Sequence, residues 1–221
     1  MTRKASSLRP IHAALLERLA VVRCATQGQL QAFCSIKQQP DASAALTFLA
    51  EVNLIEVEAY SCPRIYRISR TGCGLLGVAS PSGDRRLSWS VMAHHCHRNQ
   101  VALALAKEVP GFRFLSRLEL LKLGFNPGHG EHAAVDGSGR SWFVLLDDYL
   151  MGSERIARAW ERRHTPNAKY WADYTGRAWN EVVQRFLVVT TDEGQAARHR
   201  ARILRDRLPA EVISIKPLWR V

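Results

Sequence analysis

The chain has 221 residues, 47% of them hydrophobic, and a formal net charge of +11. That length and composition suffice for one large or two small domains with a real core and exclude a chain that is disordered by default. No uninterrupted apolar run is long enough to span a bilayer, the opening MTRKASSLRPIHAALLERL lacks the apolar block and cleavage site of a secretory signal, and the five cysteines form no CxxC pair. A cytoplasmic location with reduced thiols is therefore expected.

In chain order, Leu8 to Arg23 places Ile11, Leu15, Leu19 and Val22 at helical spacing. Thr26 with Gln29 three residues later is a capping-box pattern opening a short helix that runs to Cys34. Pro40 and Asp41 open a third helix, with Leu46, Leu49 and Val52 on one face and Asn53 at its left-handed end. LIEVEAY and RIYRIS alternate apolar and polar residues as half-buried strands do, and Thr71 and Gly72 lead into the apolar turn CGLLG.

Three helices followed by a hairpin is the element order of a winged helix-turn-helix, and LTFLAEVNLIEVEAY and YRISRTGCGLL resemble the segments that begin and close the wing in such domains. The exposed positions of the third helix are expected from Ala42, Ser43, Ala45, Thr47 and Ala50, a set without Arg, Lys, Asn or Gln to read base edges. Ser43 and Thr47 can still bond phosphates or bases. Basic residues flank the helix: Lys37 before it, Arg64 and Arg67 on the hairpin, and Arg3, Lys4 and Arg9 in the N-terminal arm. These eight are the candidate DNA-contacting residues. Divided at Arg86, the chain carries 11 basic against 6 acidic residues before the cut and 20 against 14 after it, so both halves are basic. Such a balance favours a polyanionic partner through phosphate neutralisation and counterion release. A membrane partner is not expected, because no strongly basic amphipathic segment with an aromatic face and no lipidation signal occurs.

VASPSGDRRLS, residues 78 to 88, combines Pro, Gly, Ser and charge as a linker does, which divides the chain into domains at 1–80 and 81–221. SVMAHHCHRNQVALALAKEV reads as a helix. Consecutive helical positions diverge by about 100 degrees, so His94, His95, Cys96 and His97 cannot all face one ion, and packing or hydrogen bonding is the expected role of these side chains. GHGEHAAVDGSGRSWFVLLDD reads as two strands joined by a DGSGR turn, MGSERIARAWERRH as a basic helix, and RFLVVTTDEGQAARHRARILRDRL as a buried strand followed by a basic helix. The expected fold class is α+β: a winged helix-turn-helix followed by a small α/β domain.

The chain as a whole resembles the replication-relaxation proteins of plasmids and other mobile elements, which join a winged helix to a domain similar to the PD-(D/E)XK nuclease fold. The likeness rests on LLERLAVVRCATQGQL, YRISRTGCGLLG, HHCHRNQVALALA, DGSGRSWFVLLDD and RFLVVTTDEGQAARHRARI. It implies roles in plasmid replication, transfer (conjugation) or their transcriptional control. An active nuclease of that fold needs paired carboxylates for Mg²⁺ and a nearby Lys. Here the Pro-Asp position reads Pro127-Gly128, the acid-x-acid position reads Leu145, Leu146 and Asp147, and no Lys lies near either. Glu131, Asp136 and Asp148 could in principle regroup around a metal, yet Asp136 is explained by its turn and Asp148 by solvation at a strand end. The second domain is therefore expected to be degenerate, without catalytic activity, metal or cofactor. No phosphate-binding, dinucleotide or nucleophile-elbow motif occurs either.

The function expected is a double-stranded DNA-binding regulator, or an accessory factor of replication or transfer, belonging to a plasmid or integrated mobile element. A homodimer and a second mobile-element protein are further expected partners. The alternatives are a protein-binding adaptor built on the same fold and, third, a metal-dependent nuclease.

Overall fold

A computed structural model describes residues 8–58, 63–78, 87–116, 119, 133–147, 185–205 and 210–215. The fold is α+β, and the chain divides into two compact units, Met1–Leu103 with Leu218–Val221, and Ala104–Pro217.

In the first unit the described elements are α1 (Pro10–Val22), β1 (Cys24–Thr26), α2 (Gln27–Phe33), α3 (Gln39–Glu51), β2 (Ile55–Glu58), β3 (Ile65–Ile68), α4 (Arg70–Leu76) and the first part of α5 (Trp89–Glu108). The capping box forms as expected: the Gln29 N–H donates to Thr26 Oγ1 at 3.3 Å, and Gln29 Oε1 accepts from the Thr26 N–H at 3.2 Å. Asn53 does take a left-handed conformation, at φ 57°. The hairpin gains a strand that alternation did not reveal. β1 is only three residues long, all buried, and pairs antiparallel with β3, giving the order β1-β3-β2. A fully buried strand shows no alternation to read.

This small sheet is covered on both faces. Ala25, Ile55, Tyr66 and Ile68 join Leu15, Leu16, Leu19, Leu30, Leu46 and Leu49 in the helical core. Cys24 and Ile65 point to the other face and cluster with Met92 and Cys96 of α5. The division between the two compact units lies within α5, after Leu103, and the first half of that helix buries its side against the sheet.

Two devices hold the base of the hairpin. The Ser69 hydroxyl donates to the Asn53 carbonyl at 2.6 Å and caps α4 by accepting from the Gly72 N–H at 3.0 Å. A Cβ on Gly72 would overlap the Leu54 carbonyl oxygen and come within 2.9 Å of Ile68 Cγ1, so only glycine lets α4 approach β2 and β3 this closely.

In the second unit, β4 (Arg113–Phe114), β5 (Ala133–Val135), β6 (Ser141–Asp147), β7 (Arg185–Thr190) and β8 (Ala210–Ser214) form a five-stranded sheet in sequence order. β4, β5 and β6 are antiparallel neighbours, whereas β6, β7 and β8 run parallel. The helix α6 (Glu193–Arg205) connects β7 to β8. β6 is buried along nearly its whole length, as is β7 from Leu187 to Thr190, which accounts for their continuous apolar runs. The expected DGSGR turn forms. Asp136 Oδ1 accepts from the Ser138 N–H, the Ser138 hydroxyl and the Arg140 N–H, while Oδ2 accepts from Arg140 Nε and Trp142 Nε1. These donors, led by the Ser138 hydroxyl and followed by the Trp142 indole, hold the Asp136 carboxyl well below the usual range. The helix expected over MGSERIARAWERRH lies outside the described residues.

Candidate nucleic-acid interface

The surface of α3 differs from its expected form in composition and in phase. Ala42 and Ala45 are fully buried, forming with Leu46 and Leu49 an i, i+3, i+4, i+7 stripe against the core, so neither faces solvent. Small alanines carry little hydropathy signal, so their burial is not marked in the sequence as that of Leu46 and Leu49 is. Ser43 and Thr47 are exposed as expected, together with Ala44 and Glu51.

α3 also begins one residue earlier than Pro40. Gln39 is its first residue and Pro40 its second, with Asp41 in the first turn and Gln38 in the extended N-cap position. Proline is accepted throughout the first helical turn, so its presence did not locate the start. Gln39, Ser43 and Thr47 consequently follow one another at i, i+4 and i+8 along one exposed side. Gln39, which the Pro40 start left outside the helix, gives this side an amide. The start of α3 is tied to α2 through Gln27 Nε2, which donates to the Gln39 carbonyl at 3.5 Å.

The flanking cations separate into two kinds. Lys37 is exposed in the connection before α3, and Arg9 is exposed at the extended N-cap of α1. Arg64 is exposed immediately before β3. Arg67 sits on the central strand opposite Glu56 and forms an ion pair with it, so its charge is already neutralised. Arg3 and Lys4 lie outside the described residues.

Behind the sheet, α5 is joined to β1 and α2 by hydrogen bonds. Gln29 Nε2 donates to the Cys96 carbonyl at 2.6 Å, and Asn99 Nδ2 donates to the Cys24 carbonyl at 2.8 Å. Arg23, which ends α1 at φ 68°, brings Nη1 to 3.4 Å from His95 Nε2. Burial first, and then the Arg23 guanidinium, lower the His95 pKa to about 3, so its ring is neutral and accepts from Arg23. His95 thus has the packing and hydrogen-bonding role expected of it, and Asn99 has a similar one. Among the described residues no group of three His, Cys, Asp or Glu side chains is placed to hold a metal ion.

In the second unit Leu145 and Leu146 are buried, and Asp147 Oδ2 lies 2.9 Å from His199 Nε2 on α6. The carboxylate singled out in the nuclease comparison is thus only 2% exposed and engaged by a histidine. Pro127, Gly128, Glu131 and Asp148 lie outside the described residues. No protein-family model and no curated protein matches the chain.

Proposed function

We propose that this protein binds double-stranded DNA through its first unit, acting as a winged helix-turn-helix with α3 in the major groove and the β2–β3 hairpin as the wing. The observation that carries the reading is the exposed row Gln39, Ser43 and Thr47 on one side of α3, flanked by Lys37 and Arg64. Gln can pair with the N6 and N7 edge of adenine, and the hydroxyls can serve bases or phosphates. A net charge of +11 supplies the sequence-independent part of the affinity. In this reading the protein is a non-catalytic, cytoplasmic regulator or an accessory factor of plasmid or mobile-element replication or transfer, the setting implied by its resemblance to the replication-relaxation family.

A second reading, the protein-binding adaptor, draws on a specific feature. Asp41 and Glu51 are both exposed on α3, and each would repel a phosphate placed beside it.

Fluorescence anisotropy on specific and scrambled duplexes at several salt concentrations distinguishes the two. Arg64→Ala should weaken binding almost equally on all sequences and lower the salt slope by about one unit, through loss of one counterion-releasing contact. Arg67→Ala should change the slope far less, because Glu56 already neutralises it. Gln39→Ala and Thr47→Ala should alter preference among sequences. A parent that binds no duplex at low salt, or Arg64 and Arg67 variants singly and together indistinguishable from it, would favour the adaptor.

A further inference from the structure

The helix α6 presents a charged face that the reading above does not use. Its buried side is formed by Ala196 with the half-buried Gln195, His199, Arg202 and Ile203. The opposite arc is exposed and runs through Glu193, Gly194, Ala197, Arg198, Arg200, Ala201, Leu204 and Arg205. At about 100 degrees per residue, Arg198 and Arg205 fall at i and i+7 along one edge of that arc, and Arg200 lies on the other edge. Between them the surface is low, made of Gly194, Ala197 and Ala201, with Leu204 standing 80% exposed at the far end.

The local charge is strongly unbalanced. Glu193 is the one acidic side chain on α6, and it pairs with Arg200 at 3.2 Å, both groups being more than half exposed. Such a surface pair exchanges readily for a stronger anion. Arg198 has no carboxylate partner among the described residues, whereas Arg205 already makes an interaction of its own that a phosphate would have to displace.

We propose that this face of α6 is a second DNA-contacting surface, in which Arg198 and Arg205 engage backbone phosphates. The DNA reading above supplies the identity of the polyanion, and the second unit supplies the contact. Two positions seven residues apart are about 10 Å apart along a helix, far enough to reach separate phosphates, and the low surface between the arginine edges allows close approach of a sugar-phosphate strand. Charge decides among occupants. A second copy of α6 would bring like-charged arginine edges together, and a lipid surface would want bulky or aromatic side chains where the strip offers only Leu204.

The test uses the full chain and a fluorescent duplex in anisotropy titrations over a range of salt. The Arg198→Ala/Arg205→Ala variant should lose about one to two units of salt slope, and affinity should fall at least about tenfold at 0.1 M salt. Arg198→Lys/Arg205→Lys should retain most of the binding, since a phosphate contact needs charge more than a planar fork. Leu204→Ser should bind as the parent does. An alanine variant that folds normally and keeps the parental slope and affinity overturns the proposal, as does a Leu204→Ser variant that dissolves a dimer and loses DNA binding with it. Loss of binding to anionic phosphatidylserine vesicles, with duplex binding intact, overturns it in favour of a membrane surface. If Arg64→Ala lowers the slope while the α6 variant does not, the wing stands and this surface falls; the reverse result separates them the other way. A parent without affinity for duplex sinks both.

Discussion

His95 shows how one residue can be misread from its neighbours. HHCH looks like a ligand cluster on paper, yet on α5 these side chains diverge, and His95 is buried as a neutral acceptor beside the Arg23 guanidinium. Its pKa is lowered from 6.5 to about 3 by folding, so between those values the unfolded chain binds the extra proton. Stability contributed by the neutral ring is present above pH 6.5 and is lost as pH falls toward 3. The expected loss is about 2 kcal/mol between pH 7 and 5. Urea titrations across this range check it: the parent should lose stability with acid more steeply than His95→Gln, whose amide keeps an acceptor but cannot titrate. Equal slopes would mean that His95 is not held neutral.

At the scale of elements, the hairpin depends on its junction with α4 more than on its own strands. Ser69 ties β3 back to the end of α3 and caps α4, and Gly72 lets α4 lie against the Leu54 carbonyl. Gly72→Ala must displace backbone rather than a flexible side chain, and a loss of about 1–3 kcal/mol is expected. Gly74→Ala in the same helix meets nothing within 4 Å and should be neutral or slightly stabilising. Thermal melts of the two variants compare them directly. A Gly72→Ala protein as stable as Gly74→Ala would show that α4 does not pack as described.

For the whole molecule, charge and chemistry point the same way. The excess of cations is divided between the two halves of the chain, so under the DNA-binding proposal both halves should add to the salt dependence. Chemistry on that DNA is not expected, because Gly128 and Leu145 occupy places where a nuclease of the resembled fold needs carboxylates, and Asp147 is buried against His199. Supercoiled plasmid incubated with Mg²⁺ or Mn²⁺ should remain intact by gel electrophoresis. Cleavage by the parent that disappears in Asp147→Ala protein would establish the nuclease instead.

Local interactions were legible in the sequence because they are fixed by neighbours along the chain. The Thr26–Gln29 capping box, the left-handed Asn53, the Asp136 turn and the β7–α6 succession each depend on residues within a few positions of one another. What tertiary structure alone decided was which side of each element is covered. Ala42 and Ala45 are inside because the side of α3 they share with Leu46 and Leu49 is the side the core covers, and β1 is a strand because β3 offers it an edge. α5 belongs in part to the first unit because Cys96, Asn99 and Met92 close the far face of the sheet, and Arg67 is neutralised because Glu56 lies opposite it. Burial and pairing between distant segments are properties of the assembled chain; hydropathy records the size and polarity of a side chain, and carries no record of the partner it will meet.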